Sequence, residues 1–123
     1  MSSRTTTVTV ADVVQRLDGR LFGAAEMTAR PLRGGYASDL LSDVMAHAQD
    51  GDVWVTMQRH VNTIAVAQLK NLGALVVVGN REPDADTVAR AAEHGVAIVV
   101  TPMPAFEAVG VLYQLGLRGR RTI

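Results

Sequence analysis

The chain has 123 residues, 48% of them hydrophobic and 20% charged, a balance that supports one packed domain and argues against intrinsic disorder. Twelve Lys and Arg offset twelve Asp and Glu, so the chain lacks the basic footprint of a protein that binds a nucleic-acid polymer or a membrane surface. There is no cysteine, which excludes disulfides, thiolate catalysis, iron–sulfur clusters and thiolate zinc sites and fits a cytoplasmic location.

The segment from Ser2 to Thr9 is polar and lacks the apolar stretch of a signal peptide. Apolar runs elsewhere stay far below the roughly 20 residues needed to span a bilayer. A single domain over residues 1–123 is expected, with residues 1–9 and 118–123 as flexible ends. Arg118, Arg120 and Arg121 read as a solvated basic tail. Val10 to Leu17 reads as a short helix capped by Thr9. Arg20-Leu21-Phe22 and Pro31 to Tyr36 read as two short strands, open to pairing with each other. Ser38 or Ser42 then caps a helix with Leu40, Leu41, Val44, Met45 and Ala48 turned inward.

The remainder repeats. Gly51, Gly73 and Gly95 are spaced 22 residues apart, and each precedes an apolar run: Val53-Trp54-Val55, Leu75 to Val78, and Ala97 to Val100. These runs are rich in β-branched residues without polar alternation, the signature of parallel strands buried on both faces. A helical pattern follows each: Val61, Ile64, Ala65, Leu69 and Leu72; then Ala85, Val88, Ala91 and Ala92; then Ala105, Phe106, Val109, Leu112 and Tyr113. Asn62 and Asp84 suit N-caps, Pro83 and Pro104 suit helix starts, and Gly73, Gly95 and Gly116 suit left-handed stops. The implied architecture is α/β, a small, mostly parallel but mixed sheet flanked by helices. Trp54 belongs to the core or to a dimer interface rather than to a stacking platform.

Parallel strands joined by helices deliver their following loops to one edge, where open α/β sheets bind ligands. Here those loops run over Thr56 to His60, Gly79 to Pro83 and Thr101 to Pro104. The first offers hydroxyl, amide, guanidinium and imidazole groups, so Thr56, Gln58 and His60 are candidate ligand contacts. Asn80 and Arg81 follow the second strand. Arg81 suits a phosphate or carboxylate, and equally a salt bridge with Glu82. Thr101 ends the third strand. Gly34-Gly35, ahead of Tyr36 and the helix that starts near Ser38, reads as a turn that can bring backbone N–H groups to an anion, or one that simply needs positive φ, so Gly35, Tyr36, Ser38 and Asp39 join the candidate contacts. Neither phosphate-binding glycine motif is present. His47, His60 and His94 lie in three different elements and give no metal spacing. His94 is placed to complement a helix C-terminus. Ser38, Asp39 and His60 contain the groups of a nucleophilic triad, but Ser38 and Asp39 read better as capping groups.

The stretches Gly34 to Met45, Gly51 to Thr56, Gly79-Asn80-Arg81, Ala105-Phe106-Glu107 and Leu112 to Gly116 resemble the DRTGG domain family, over about Val10 to Leu117. The resemblance is greatest to its short stand-alone members, some of them labelled serine-kinase-like. It implies a fold like the N-terminal domain of HPr kinase, itself similar to the uridine-nucleotide-binding N-terminal domain of Mur ligases. In larger relatives the domain accompanies CBS domains or phosphotransacetylase and looks regulatory, and some stand-alone members lie near redox genes. The family often has Gly-Asp-Arg where this chain has Gly79-Asn80-Arg81. The catalytic domain of HPr kinase and its phosphate loop are absent, so a kinase activity is not expected. The Mur-like site implies the Ser38-Asp39 turn and the Thr56 to His60 loop as ligand neighbours.

Two functions follow as expectations. One is a regulatory module that binds a nucleotide or other small anionic metabolite at Gly35, Tyr36, Ser38, Asp39, Thr56, Gln58, His60, Asn80, Arg81 and Thr101, with no catalytic residue, metal or cofactor. The other is a ligand-free homodimer, an accessory protein docking on a larger enzyme, with a redox enzyme among the candidates.

Overall fold

A computed structural model of the chain describes residues 7–120. Its frame is a five-stranded sheet in the order β1-β5-β4-β3-β2. Strands β2 (Gly34–Ala37), β3 (Asp52–Thr56), β4 (Ala74–Val77) and β5 (Ala97–Val100) are parallel, and β1 (Arg20–Gly23) runs antiparallel to β5. Every residue of β3, β4 and β5 is buried, as the unalternating apolar runs predict for central parallel strands.

Alternation along those strands sorts the core into two layers. Val53, Val55, Val76 and Val99 face α1 (Val10–Arg16) and α5 (Ala105–Leu115), meeting Val10, Val13, Ala108 and Leu112. Trp54, Leu75, Val77 and Ile98 face the other way, toward α2 (Leu41–His47), α3 (Asn62–Leu69) and α4 (Ala85–His94). The three helices that link successive parallel strands thus share one face, as crossovers of one hand require. Trp54 is fully buried, and its Nε1 donates to the Ser38 carbonyl at 2.8 Å. Thr9 caps α1 as expected, in a reciprocal box with Asp12.

Several local expectations fail for identifiable reasons. The two N-terminal strands do not pair with each other; β1 and β2 occupy opposite edges, and Pro31 contributes only an isolated bridge to Thr9. The inward stripes of the helices are shifted. Leu40 and Leu69 are exposed, at 64% and 71%, and on α5 Phe106 and Tyr113 face outward while Ala108 and Leu112 are buried. Helix α5 is apolar around much of its circumference, so periodicity alone admits two phases. On α4 it is Thr87 and Ala91 that are buried, whereas Ala85 and Ala92 are exposed. Asn62 is the first helical residue and not a cap, and α2 starts after Leu40 with no side-chain cap from Ser38 or Ser42.

Gly95 and Gly116 are left-handed stops, with φ of 71° and 113°. Gly73 is not. Asn71 takes the positive φ after α3, and Gly73 is small because a Cβ there would run into Leu32 and stand 2.9 Å from the Gly51 carbonyl oxygen.

The C-terminal basic residues are not a loose tail as far as residue 120. Arg120 Nη2 lies 2.5 Å from the buried Asp52 carboxylate and donates to the Asp50 carbonyl at 2.7 Å. The Gly35 amide donates to the Arg118 carbonyl at 3.1 Å, so the segment runs along the outer edge of β2. Gly34 makes room for it, since a Cβ there would stand 2.7 Å from Arg120 Nε. Arg121 lies outside the described residues. Among the described residues no helix is long and apolar enough to cross a membrane.

Candidate functional site

The carboxyl ends of β2, β3, β4 and β5 form one rim, tied by backbone bonds. Val78 N–H donates to the Thr56 carbonyl at 3.0 Å, Asn80 N–H to the Thr101 carbonyl at 2.8 Å, and Gly79 N–H to the Met103 carbonyl at 2.9 Å. Gly79 and Asn80 both have positive φ, 74° and 59°. Glycine takes that conformation freely, and asparagine is one of the few side chains that tolerate it.

Side chains stitch the loops after β2 and β3. Asp39 Oδ1 accepts from Thr56 Oγ1 and from the Met57 amide, both at 2.8 Å. Thr56 Oγ1 in turn accepts from the Gln58 amide at 3.1 Å, and Gln58 Nε2 donates to the Asp39 carbonyl at 2.9 Å. Ser38 Oγ accepts the Leu40 amide at 3.1 Å.

Between these loops and the start of α5 lies a cleft of about 420 Å³, within the range of small-molecule sites. Its apolar lining comes from Ala37, Val55, Met57, Val78, Pro104 and Ala105, and its polar lining from Ser38, Asp39, Thr56 and Arg81. The side chain of Arg81 makes no hydrogen bond or ion pair among the described residues. Glu82, the alternative partner, pairs instead with Arg20 at 3.4 Å. The cleft therefore has an apolar floor, a carboxylate fixed on one side and an uncompensated guanidinium.

Four of the ten predicted contacts, Ser38, Asp39, Thr56 and Arg81, meet in this cleft. Gly35 and Tyr36 line a smaller neighbouring cavity. Gln58 supports Asp39 from behind the wall. His60 is elsewhere: its Nδ1 lies 2.8 Å from the Asp84 carboxylate. Asn80 acts through its backbone conformation, and its side-chain oxygen accepts from Arg20 at 3.5 Å. Thr101 is fully buried and donates to the Leu17 carbonyl at 2.6 Å. Ser38, Asp39 and His60 do not form a relay, because each is bonded to a different partner. The apolar lining escapes sequence reading, although Val55 and Val78 end their apolar runs at the edge where ligands are expected.

Behind the cleft wall, Asp43 gathers three donors. Hydrogen bonds from Ser38 and then Tyr36 and, more weakly, His47 hold its carboxyl below the ordinary carboxylate range, against an opposing push from desolvation. Tyr36 Oη lies 2.9 Å from both Asp43 oxygens, and His47 Nδ1 lies 3.0 Å from one of them. Burial, followed by the hydrogen bond to Asp43 and its charge, raises the Tyr36 phenol above its usual value. His94 contacts Gln68 at 3.2 Å. Among the described residues, no three His, Asp or Glu side chains gather as a metal site.

These features place the molecule among open α/β domains whose crevice lies outside the carboxyl ends of parallel strands. The fold is shared with the crystal structure of the CBS and DRTGG domains of the regulatory region of Clostridium perfringens pyrophosphatase, complexed with an activator, diadenosine tetraphosphate. The match has a TM-score of 0.72 at 15% identity and covers 94% of this chain. It covers 53% of that one, so the present chain spans about half its length. It agrees with the DRTGG-like fold read from the sequence. No family model matches the sequence, and no curated protein matches it.

Proposed function

We propose that the protein is a regulatory module that binds a small anionic ligand, a nucleotide or a similar metabolite, in the carboxyl-edge cleft and performs no chemistry on it. The observation that carries this reading is Arg81. Its guanidinium lines a largely apolar cleft and has no acceptor among the described residues, a disposition suited to a phosphate or carboxylate from outside. The first amides of α5, next to Pro104 and Ala105, add partial positive charge at the same end. Asp39, with one oxygen held by Thr56 and Met57, is positioned to accept from a ligand hydroxyl or N–H. The nucleotide activator named with the C. perfringens regulatory region supports a nucleotide over other anions. The cysteine-free sequence favours a reducing, cytoplasmic setting.

Thermal shift against nucleoside phosphates and simple organic phosphates tests the reading. A ligand at 100 times its Kd adds about 2.7 kcal/mol of stability. Arg81→Ala should abolish that gain, whereas His60→Ala should preserve it because His60 belongs to the Asp84 pair. Loss through His60 with retention through Arg81 would place the site elsewhere.

A second reading, an interaction protein that dimerises or docks on an enzyme, draws on one observation. Phe106 on α5 is 92% exposed, and Tyr113, about two turns further along the same helix, is exposed as well. Sedimentation of the wild type against Phe106→Glu tests it: a dimer that becomes a monomer supports this role, and a monomeric wild type removes the homodimer.

A further inference from the structure

The cleft is not isolated. A second cavity of about 180 Å³ lies between β2 and α5, and it shares Ala37 and Val55 with the cleft. At that size it falls below the roughly 300 Å³ of a free-standing ligand pocket, so it has room for part of a ligand and not for a whole one. Its walls are Gly35 and Tyr36 of β2, Val109 and Tyr113 of α5, and the C-terminal segment at Leu117 and Arg118.

This cavity has the character of a ring site. The Arg118 guanidinium carbon sits 3.7 Å from the Tyr113 ring centroid, and Nη1 is anchored to the Tyr113 and Leu117 carbonyls at 2.6 and 3.2 Å. A flat cation stacked on an aromatic ring offers a planar, pre-positioned surface of the sort that accepts another π system. The apolar flank of Val109 and Leu112 completes it.

We infer that the two cavities are subsites of one elongated site for a nucleoside phosphate, with the phosphate at Arg81 and the base between β2 and α5 beside the Tyr113–Arg118 stack. The inference rests on the cleft reading above and adds the position of the ring. It also explains why the C-terminal segment is pinned to the sheet edge, since Arg120, bound to Asp52, positions Arg118 as a wall of the base subsite.

Isothermal titration of the full chain with AMP, UMP and ribose 5-phosphate tests it. The tighter-binding nucleotide should exceed ribose 5-phosphate by at least about tenfold, the order expected for one stacked base. Val109→Trp, which fills the second cavity from an exposed helix position, should bring all three ligands to the ribose 5-phosphate level. Tyr113→Ala should lose the same preference without adding bulk, so the conclusion does not hang on one variant. Melting curves of both variants confirm that they are folded. If ribose 5-phosphate binds as tightly as the nucleotides, or if both variants keep the tenfold preference, the second subsite is wrong while the cleft reading stands. If none of the three binds the wild type, the second subsite falls with the cleft reading.

Discussion

Asn80 illustrates how a residue can be chosen for its backbone. With φ of 59° it follows Gly79 in the left-handed region, and its amide reaches the Thr101 carbonyl. Asn80→Ala should destabilise the fold by about 1 kcal/mol, and Asn80→Gly should not, as urea unfolding will show. Aspartate shares the tolerance of asparagine for this conformation, so Asn80→Asp should keep the turn. Asp39 is different, because its side chain is the support. Asp39→Ala strands the hydroxyl of the buried Thr56, while water can take over the exposed Met57 amide, a loss of about 1–3 kcal/mol that urea unfolding will also register. Sequence reading finds Asp39 and Thr56 at this edge but not that they bond to each other, since two loops 17 residues apart meet only through the β2–β3 pairing.

At the level of elements, the central strands are legible in the sequence and the edges are not. β3, β4 and β5 announce themselves because burial on both faces leaves no room for polar residues. β2 carries two glycines and a tyrosine, with no pattern to say which neighbour it takes. The phase of α5 is equally hidden: Phe106 and Tyr113 fit a helical stripe as well as Ala108 and Leu112 do, and only packing against the sheet decides. The C-terminal segment reads as a free tail because a run of arginines with no sequence neighbour gives no hint of a buried acid 68 residues away. Arg120→Ala should cost about 3 kcal/mol by leaving the Asp52 carboxylate, 2% exposed, without its cation. That figure is at the low end for a broken buried pair because the Arg120 side chain keeps 27% exposure. The double variant Arg120→Ala with Asp52→Asn should recover part of the loss.

At the scale of the whole molecule, two pH-dependent contributions come from Asp43, held down first by its Ser38 hydrogen bond and then by Tyr36, and from Tyr36, raised first by burial. The Asp43 carboxyl is held below its ordinary value of about 4. The folded state therefore binds fewer protons than the unfolded state as pH falls through that value, and the contribution, present above it, is lost toward lower pH. The Tyr36 phenol is raised, so the folded state holds its proton above pH about 10 where the unfolded state releases it. That contribution is present below pH about 10 and declines above it. Melting temperature against pH should show both limbs, with Asp43→Asn flattening the acid one and Tyr36→Phe the alkaline one.

The rim is joined unevenly. On the α3–α4 side, Arg59 donates to the Glu82 carbonyl at 3.1 Å and receives the Thr87 hydroxyl on its own carbonyl at 3.0 Å, while His60 holds Asp84. That side holds the two loops together, while Ser38, Asp39, Thr56 and Met57 on one lip and Gly79, Arg81, Pro104 and Ala105 on the other border the open cleft. A molecule lodged there is a latch: it should slow amide hydrogen exchange in both lips together, beyond what contact with either one alone would protect.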